Sequence, residues 1–204
     1  VGKPLPGVKI EIDNSVQGSK EEDGEIVAYG ENIMLGYHNL PEKTKETITP
    51  DGGLRTGDLG HLDSEGYLYI TGRVKEQYKL DIGEYVAPAP LEETLKLSAY
   101  IDQVMLYGFN RPNNVALIVA AMPAVEQYAQ SNGISGSGEN LLKESSIRDL
   151  FREELSVYGK DFKSFEHPQN FALLAEEWSI DNGLLTPTLK LKREVVEQKF
   201  KDQI

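Results

Sequence analysis

Three stretches of this chain carry side chains that could act on a phosphorylated or hydroxylated ligand. Leu184-Leu185-Thr186-Pro187-Thr188-Leu189-Lys190-Leu191-Lys192-Arg193 sets Lys190 at the tip of a turn stiffened by Pro187, ahead of an amphipathic run with the look of a helix. An ammonium held in such a place can neutralise charge that develops on a phosphoryl or carboxyl oxygen; it can equally be a solvated surface lysine. Leu54-Arg55-Thr56-Gly57-Asp58-Leu59-Gly60 places a carboxylate in what reads as a Gly-flanked turn between strands. A fixed aspartate there can accept hydrogen bonds from two neighbouring hydroxyls, the pattern of a ribose, or can bond its own backbone as turn aspartates do. Fifteen residues on, Gly72-Arg73 closes an apolar run, and the planar fork of Arg73 suits hydroxyls, phosphate or a surface ion pair. Singly, none of the three decides the matter.

The elements that must position them change character along the chain. Val8 to Ile12 alternates apolar and charged residues, a turn-rich stretch follows, and Gly24 to Gly30 reads as a second strand. Gly60 to Ile70 looks like a hairpin turning at Asp63 to Gly66. From about Ala87 helices enter. Pro90 to Leu95 starts one with Pro near its first turn, and Pro123 to Gln130 and Ser146 to Tyr158 read as two more, the last with Ile147, Leu150, Phe151 and Tyr158 on one face. Ile101 to Phe109 and Val115 to Ala121 are β-prone runs flanking a hairpin-like turn at Asn110 to Asn114, and Ser131 to Gly138 is a Gly/Ser loop. The pattern predicts an α+β chain: a β-rich subdomain over 1–74 and a small α+β domain over 75–204.

Composition narrows the partners. The 204 residues suffice for one ordinary domain or two small ones, with enough apolar residues for real cores. A formal net charge of -12 argues against nucleic acid or an anionic membrane as the main partner, so an anionic ligand must be met by a local cluster. Acidic residues outnumber basic ones by the same margin on both sides of Val74, so charge does not separate the halves. Without cysteine there is no disulfide or thiolate site, and His38, His61 and His167 are too scattered to suggest a metal site. The absence of cysteine fits a cytoplasmic protein, the lack of a long apolar run or signal-peptide pattern suggests a soluble chain, and the opening Val1-Gly2-Lys3-Pro4 without an initiator Met suggests a piece of something longer.

Read in order, the motifs carry a resemblance. Val1-Gly2-Lys3-Pro4-Leu5-Pro6-Gly7, Gly24-Glu25-Ile26, Gly36-Tyr37 with Pro41-Glu42-Lys43-Thr44, Arg55-Thr56-Gly57-Asp58-Leu59-Gly60, Gly72-Arg73-Val74-Lys75 and the Lys190 tail follow one another over the whole chain. In this the chain resembles the C-terminal third of the adenylate-forming superfamily of acyl- and aryl-CoA synthetases, peptide-synthetase adenylation domains and luciferases. Lys79-Leu80-Asp81-Ile82-Gly83-Glu84-Tyr85-Val86 and the tail from Asn182 to Arg193 look most like long-chain fatty acyl-CoA synthetases, shorter-chain relatives usually showing a Ser/Thr-Gly-Lys tail.

The resemblance implies roles. Asp58 would bind the ribose hydroxyls of ATP and of the acyl-adenylate, assisted by Arg73. Lys75 matches the hinge about which the small C-terminal domain rotates. Lys190 would stabilise charge shared by the attacking carboxylate and the α-phosphate. After rotation, Lys79 and the Gly83-Glu84-Tyr85 loop would take its place and help form the CoA channel. Two departures stand out: Gly53 lies where relatives commonly carry an aromatic, and Glu76-Gln77-Tyr78 replaces an apolar pair often seen before the second lysine.

The partners implied are fatty acid, ATP with Mg, CoA and an N-terminal AMP-binding domain that holds the phosphate loop and the fatty-acid tunnel. Peripheral membrane contact would come through that domain. A few hydrogen bonds of about 1 kcal/mol each do not offset the entropy of binding, so the chain alone is expected to hold no cofactor tightly and to be inactive. An aryl- or medium-chain acyl-CoA ligase, and a non-catalytic module retaining the fold, are the competing readings.

Overall fold

The computed structural model describes residues 1–19 and 22–203. The chain divides into two compact units, Val1–Gln77 with Tyr85–Ala89, and Tyr78–Glu84 with Pro90–Ile204.

The first unit is built on a four-stranded antiparallel sheet in sequential order: β1 (Lys9–Asp13), β2 (Gly24–Tyr29), β3 (Leu54–Leu62) and β4 (Leu68–Arg73). A short helix α1 (Pro41–Thr47) lies between β2 and β3; it opens on Pro41 and buries none of its residues. Leu59, Ile26 and Val27 form the buried part of the sheet. The β3–β4 hairpin turns where expected, because Asp63 accepts the backbone N–H groups of Glu65 and Tyr67 on one carboxylate oxygen. A 3-10 turn, Val74–Glu76, follows β4; of the two-residue strands that come next, β5 (Tyr78–Lys79) belongs to the second unit and β6 (Tyr85–Val86) to the first.

The second unit has a three-stranded sheet ordered β7 (Ile101–Tyr107), β8 (Asn114–Ala120), β9 (Pro168–Leu174). β7 and β8 are antiparallel, whereas β8 and β9 are parallel and need the long crossover that carries α3 (Met122–Ser131), α4 (Gly138–Leu141) and α5 (Ser145–Tyr158). The central strand is covered on both faces, which is why it reads as an unbroken apolar run rather than an alternating one. α5 buries Ile147, Leu150, Phe151 and Leu155, the spacing of a single helix face. One core cluster joins Met105, Leu117, Val119 and Leu174 of the sheet to Trp178, Leu184, Leu185, Val196 and Phe200 of the C-terminal segment. That segment ends in α6 (Arg193–Lys199), and α2 (Pro88–Leu95) precedes the sheet.

Candidate functional site

Asp58 does not sit in a turn. It lies inside β3, directly opposite Arg73 of β4. What looked like turn chemistry is a strand irregularity: Gly57 adopts φ 74°, open to glycine, and the ladders shift register at Glu25/Val27 against β2 and at Leu59/Gly60 against β4. Side chains hold the distortion. The Asp58 N–H donates to Thr56 Oγ1 at 3.1 Å, and that hydroxyl donates to the Ile26 carbonyl at 2.8 Å. The Gly57 N–H donates to Glu25 Oε1.

The distortion points the Asp58 carboxylate at its cross-strand neighbour. Arg73 Nε lies 2.9 Å from Asp58 Oδ1, while Oδ2 has no partner among the described residues. Arg73 is the more exposed of the two, so the pair contributes little to stability, about 0–1 kcal/mol, and can be redirected to a ligand. One oxygen oriented by a guanidinium and one open is a fit acceptor for neighbouring hydroxyls. Behind it, Arg55 pairs with Asp13 at 2.8 Å and with the buried Glu25 at 2.6 Å. The Ser15 hydroxyl and N–H, with Arg55 as a lesser cause, hold the Asp13 carboxyl below its usual range. Gly53, where an aromatic was expected, lies against the Tyr29 ring; an added Cβ would meet it at 2.6 Å.

Lys75 is exposed on the 3-10 turn, two residues before the first unit gives way to the second. Lys79 is exposed on β5, yet its strand is well anchored within the second unit. The Tyr78 hydroxyl donates to Asn114 Oδ1 at 2.7 Å, and Asn114 Nδ2 donates to the Phe165 and Glu166 carbonyls at 3.0 Å. Burial, with the Glu92 charge as a lesser cause, pushes the Tyr78 phenol well above its ordinary value. Tyr78, which departed from the expected apolar pair, is thus a half-buried anchor beside the lysine. Leu80 is fully buried, and its carbonyl accepts the Gly83 N–H while its N–H donates to Glu84, closing a tight turn at Gly83 (φ 93°). Tyr85 belongs with the first unit, its ring against Gly18.

Lys190 is exposed, at the end of a closed turn. The Thr186 N–H donates to the Lys190 carbonyl and the Leu189 N–H to the Thr186 carbonyl, both at 2.8 Å, while the Lys190 N–H donates to Thr186 Oγ1 at 3.0 Å. Leu185 and Leu191 form a bridge across its base. Leu189 stands at φ 59°, a left-handed conformation that costs a non-glycine residue about 1–2 kcal/mol, with its side chain 70% exposed. The Lys190 ammonium has no ion-pair partner among the described residues. The structure therefore brings Asp58 and Arg73 together, and sets two exposed lysines, Lys79 on a braced strand and Lys190 on a braced turn. Sequence reasoning missed the Tyr78–Asn114 bond and a part-buried Glu92–Arg193 pair; residues so far apart in sequence leave no local pattern.

No family model matches the chain. Among curated proteins, it is 35% identical over its whole length to long-chain-fatty-acid–CoA ligase 1 of Homo sapiens, and 37% identical over 91% of its length to long-chain-fatty-acid–CoA ligase 5 of Mus musculus. It spans 30% and 28% of those ligases. Among solved structures, the adenylation domain of a carboxylate reductase from Mycobacterium chelonae superposes with a TM-score of 0.78 at 25% identity, over 97% of this chain and 30% of that one. The O-succinylbenzoate coenzyme A synthetase from Bacillus subtilis, solved with AMP, gives 0.64 at 23% identity, over 95% of this chain and 34% of that one, a likeness of fold. The chain belongs to the adenylate-forming superfamily and is homologous to part of its long-chain fatty acid–CoA ligases.

Proposed function

We propose that this chain forms the C-terminal part of an ATP-dependent long-chain fatty acid–CoA ligase, in which residues 1–74 complete the AMP-binding domain and 75–204 form a mobile domain turning about Lys75. The complete enzyme joins fatty acid and ATP into an acyl-adenylate with release of pyrophosphate, and CoA then displaces AMP to give the thioester. Asp58 accepts the ribose hydroxyls through its open oxygen, with Arg73 orienting the carboxylate and reaching the same sugar. Lys190 supplies positive charge to the carboxylate and α-phosphate during adenylation. Lys79 and the Gly83-Glu84-Tyr85 segment serve the CoA step. Two exposed lysines, one on a braced strand and one on a braced turn, suit two half-reactions, each presented by a different domain orientation.

The observation that carries this reading is the Asp58–Arg73 pair, a carboxylate with one oxygen oriented and one open. Its motif lies in a chain 35% identical throughout to a long-chain ligase. Mg would be carried by the nucleotide's phosphates and by the rest of the enzyme. None of the described helices is long and apolar enough to cross a membrane. The complete enzyme would work in the cytoplasm and meet lipid surfaces through its other domain. The test is Asp58→Asn in the complete ligase. The substitution should raise the KM for ATP at least 10-fold, the loss of a charged hydrogen bond of about 1.5–3 kcal/mol; an unchanged KM would sink the ribose assignment.

A further inference from the structure

Glu92 is among the few buried charged residues of the second unit, 6% exposed on α2. Its carboxylate takes both arms of the Arg193 guanidinium, at 2.9 Å from Nη1 to Oε1 and 2.5 Å from Nη2 to Oε2. Oε1 also accepts the backbone N–H of Leu106 on β7 at 2.7 Å. The neighbouring elements α2 and β7 and the distant α6 therefore meet at one carboxylate. Arg193 stands at the start of α6, three residues after Lys190. Three residues span at most about 10 Å, so fixing the guanidinium restricts where the lysine's backbone can lie.

The two arms of the Lys190 turn are held differently. Leu184 and Leu185, on the entering arm, are sunk in the core beside Trp178, whose backbone N–H donates to Gln103 Oε1 of β7 and whose carbonyl accepts from Gln103 Nε2. On the leaving arm, Lys192 donates its N–H to the Leu184 carbonyl, Leu191 is only partly buried, and the arm then reaches Arg193. The bidentate pair is the leaving arm's side-chain anchor to α2 and β7. Net stability is a weak reason for such a pair, since desolvation offsets most of its attraction and packed apolar side chains would do as well. Planar, two-bond geometry fixes direction, which an apolar contact does not.

We propose that Glu92 and Arg193 are positioning residues for the adenylation step: their bidentate pair sets the direction in which the 186–190 turn presents Lys190. The inference rests on the role proposed for Lys190. It assigns neither Glu92 nor Arg193 to contact with substrate.

The test uses the complete ligase with Glu92→Gln/Arg193→Met, which removes both charges, keeps a side-chain oxygen for the Leu106 N–H and fills the space with a flexible apolar chain. Acyl-adenylate formation, thioester formation from supplied acyl-adenylate and CoA, and urea unfolding are each measured. Adenylation should fall about 10- to 100-fold, chiefly in kcat, the scale expected of a displaced catalytic group. Thioester formation from supplied adenylate should stay within about threefold. Adenylation within twofold of the unsubstituted enzyme, or an equal fall in both half-reactions, would overturn the proposal. Should the double variant not fold, Arg193→Lys decides, because it keeps the charge and loses the fork: a selective loss of adenylation supports the proposal and its absence refutes it. Lys190→Ala is assayed alongside. If that variant adenylates normally, the role of Lys190 itself is wrong, a different failure from an intact Lys190 role with an indifferent clamp.

Discussion

Asn114→Ala should be among the most damaging single substitutions in the second unit. Asn114 is fully buried at the start of β8, and its side chain makes three hydrogen bonds: one from the Tyr78 hydroxyl and one to each of the Phe165 and Glu166 carbonyls. Alanine removes all three bonds. The Tyr78 hydroxyl is the costliest, at about 2 kcal/mol for a buried unpaired polar group. The two carbonyls belong to half-buried residues that water can reach, so each loses about 1 kcal/mol. The sum is about 4 kcal/mol, a large share of the ~5–15 kcal/mol that holds a domain together. The single tryptophan, Trp178, lies buried in the same unit, so its fluorescence in a urea titration reads the loss directly. With an m-value of about 1.5–2 kcal/mol/M the midpoint should fall by about 2–3 M. Tyr78→Phe strands only the Asn114 oxygen and should cost about 1–2 kcal/mol. The double variant should lose less than the two single losses added, because both delete the same bond. An Asn114→Ala loss under about 1 kcal/mol, or full additivity, would refute this account of how β5 and Lys79 are anchored.

Gly60→Ala should part β3 from β4, since an added Cβ would lie 2.0 Å from the Tyr69 carbonyl oxygen. In the complete ligase it should raise the KM for ATP at least several-fold by displacing Asp58 from Arg73, as steady-state kinetics will show. Leu189→Gly removes about 1–2 kcal/mol of left-handed strain but adds the ~0.5–1 kcal/mol entropic cost of glycine, so the urea midpoint should hold or rise slightly; a clear fall would mean that the leucine is held by packing. The Tyr78 phenol gives a pH signature. In the unfolded chain it ionises near pH 10, while burial keeps it protonated in the fold; its contribution to stability is intact below that pH and is lost above it, by about 1.4 kcal/mol per pH unit. Tyr78→Phe should flatten the alkaline limb of a stability profile by that slope.

The β-rich first half and the helices of the second were legible because their signals are local. Asp63 makes its turn with its own neighbours, and Ile147, Leu150 and Phe151 lie one helical turn apart. β9 was not legible: it opens on Pro168-Gln169-Asn170 and pairs parallel with β8 across a long crossover. α1 escaped notice because it is short and buries nothing, so it lacks an apolar stripe. The site divides in the same way. Asp58, Arg73, Lys79 and Lys190 lie in motifs that can be read from the chain, although the Gly57 bulge made the strand around Asp58 look like a turn. Their supports, Asn114 beneath Tyr78 and Glu92 against Arg193, join residues 36 and 101 positions apart, and nothing in either residue's neighbourhood announces its partner.

The central claim, two lysines for two half-reactions, is tested most directly by comparing Lys190→Ala and Lys79→Ala in the complete ligase, with acyl-adenylate formation and thioester formation from supplied adenylate measured separately. Loss of a charge-stabilising donor costs about 10²–10³ in rate. Lys190→Ala should lose adenylation on that scale and keep thioester formation, and Lys79→Ala should show the reverse bias. Intact adenylation in Lys190→Ala together with a blocked thioester step would contradict it.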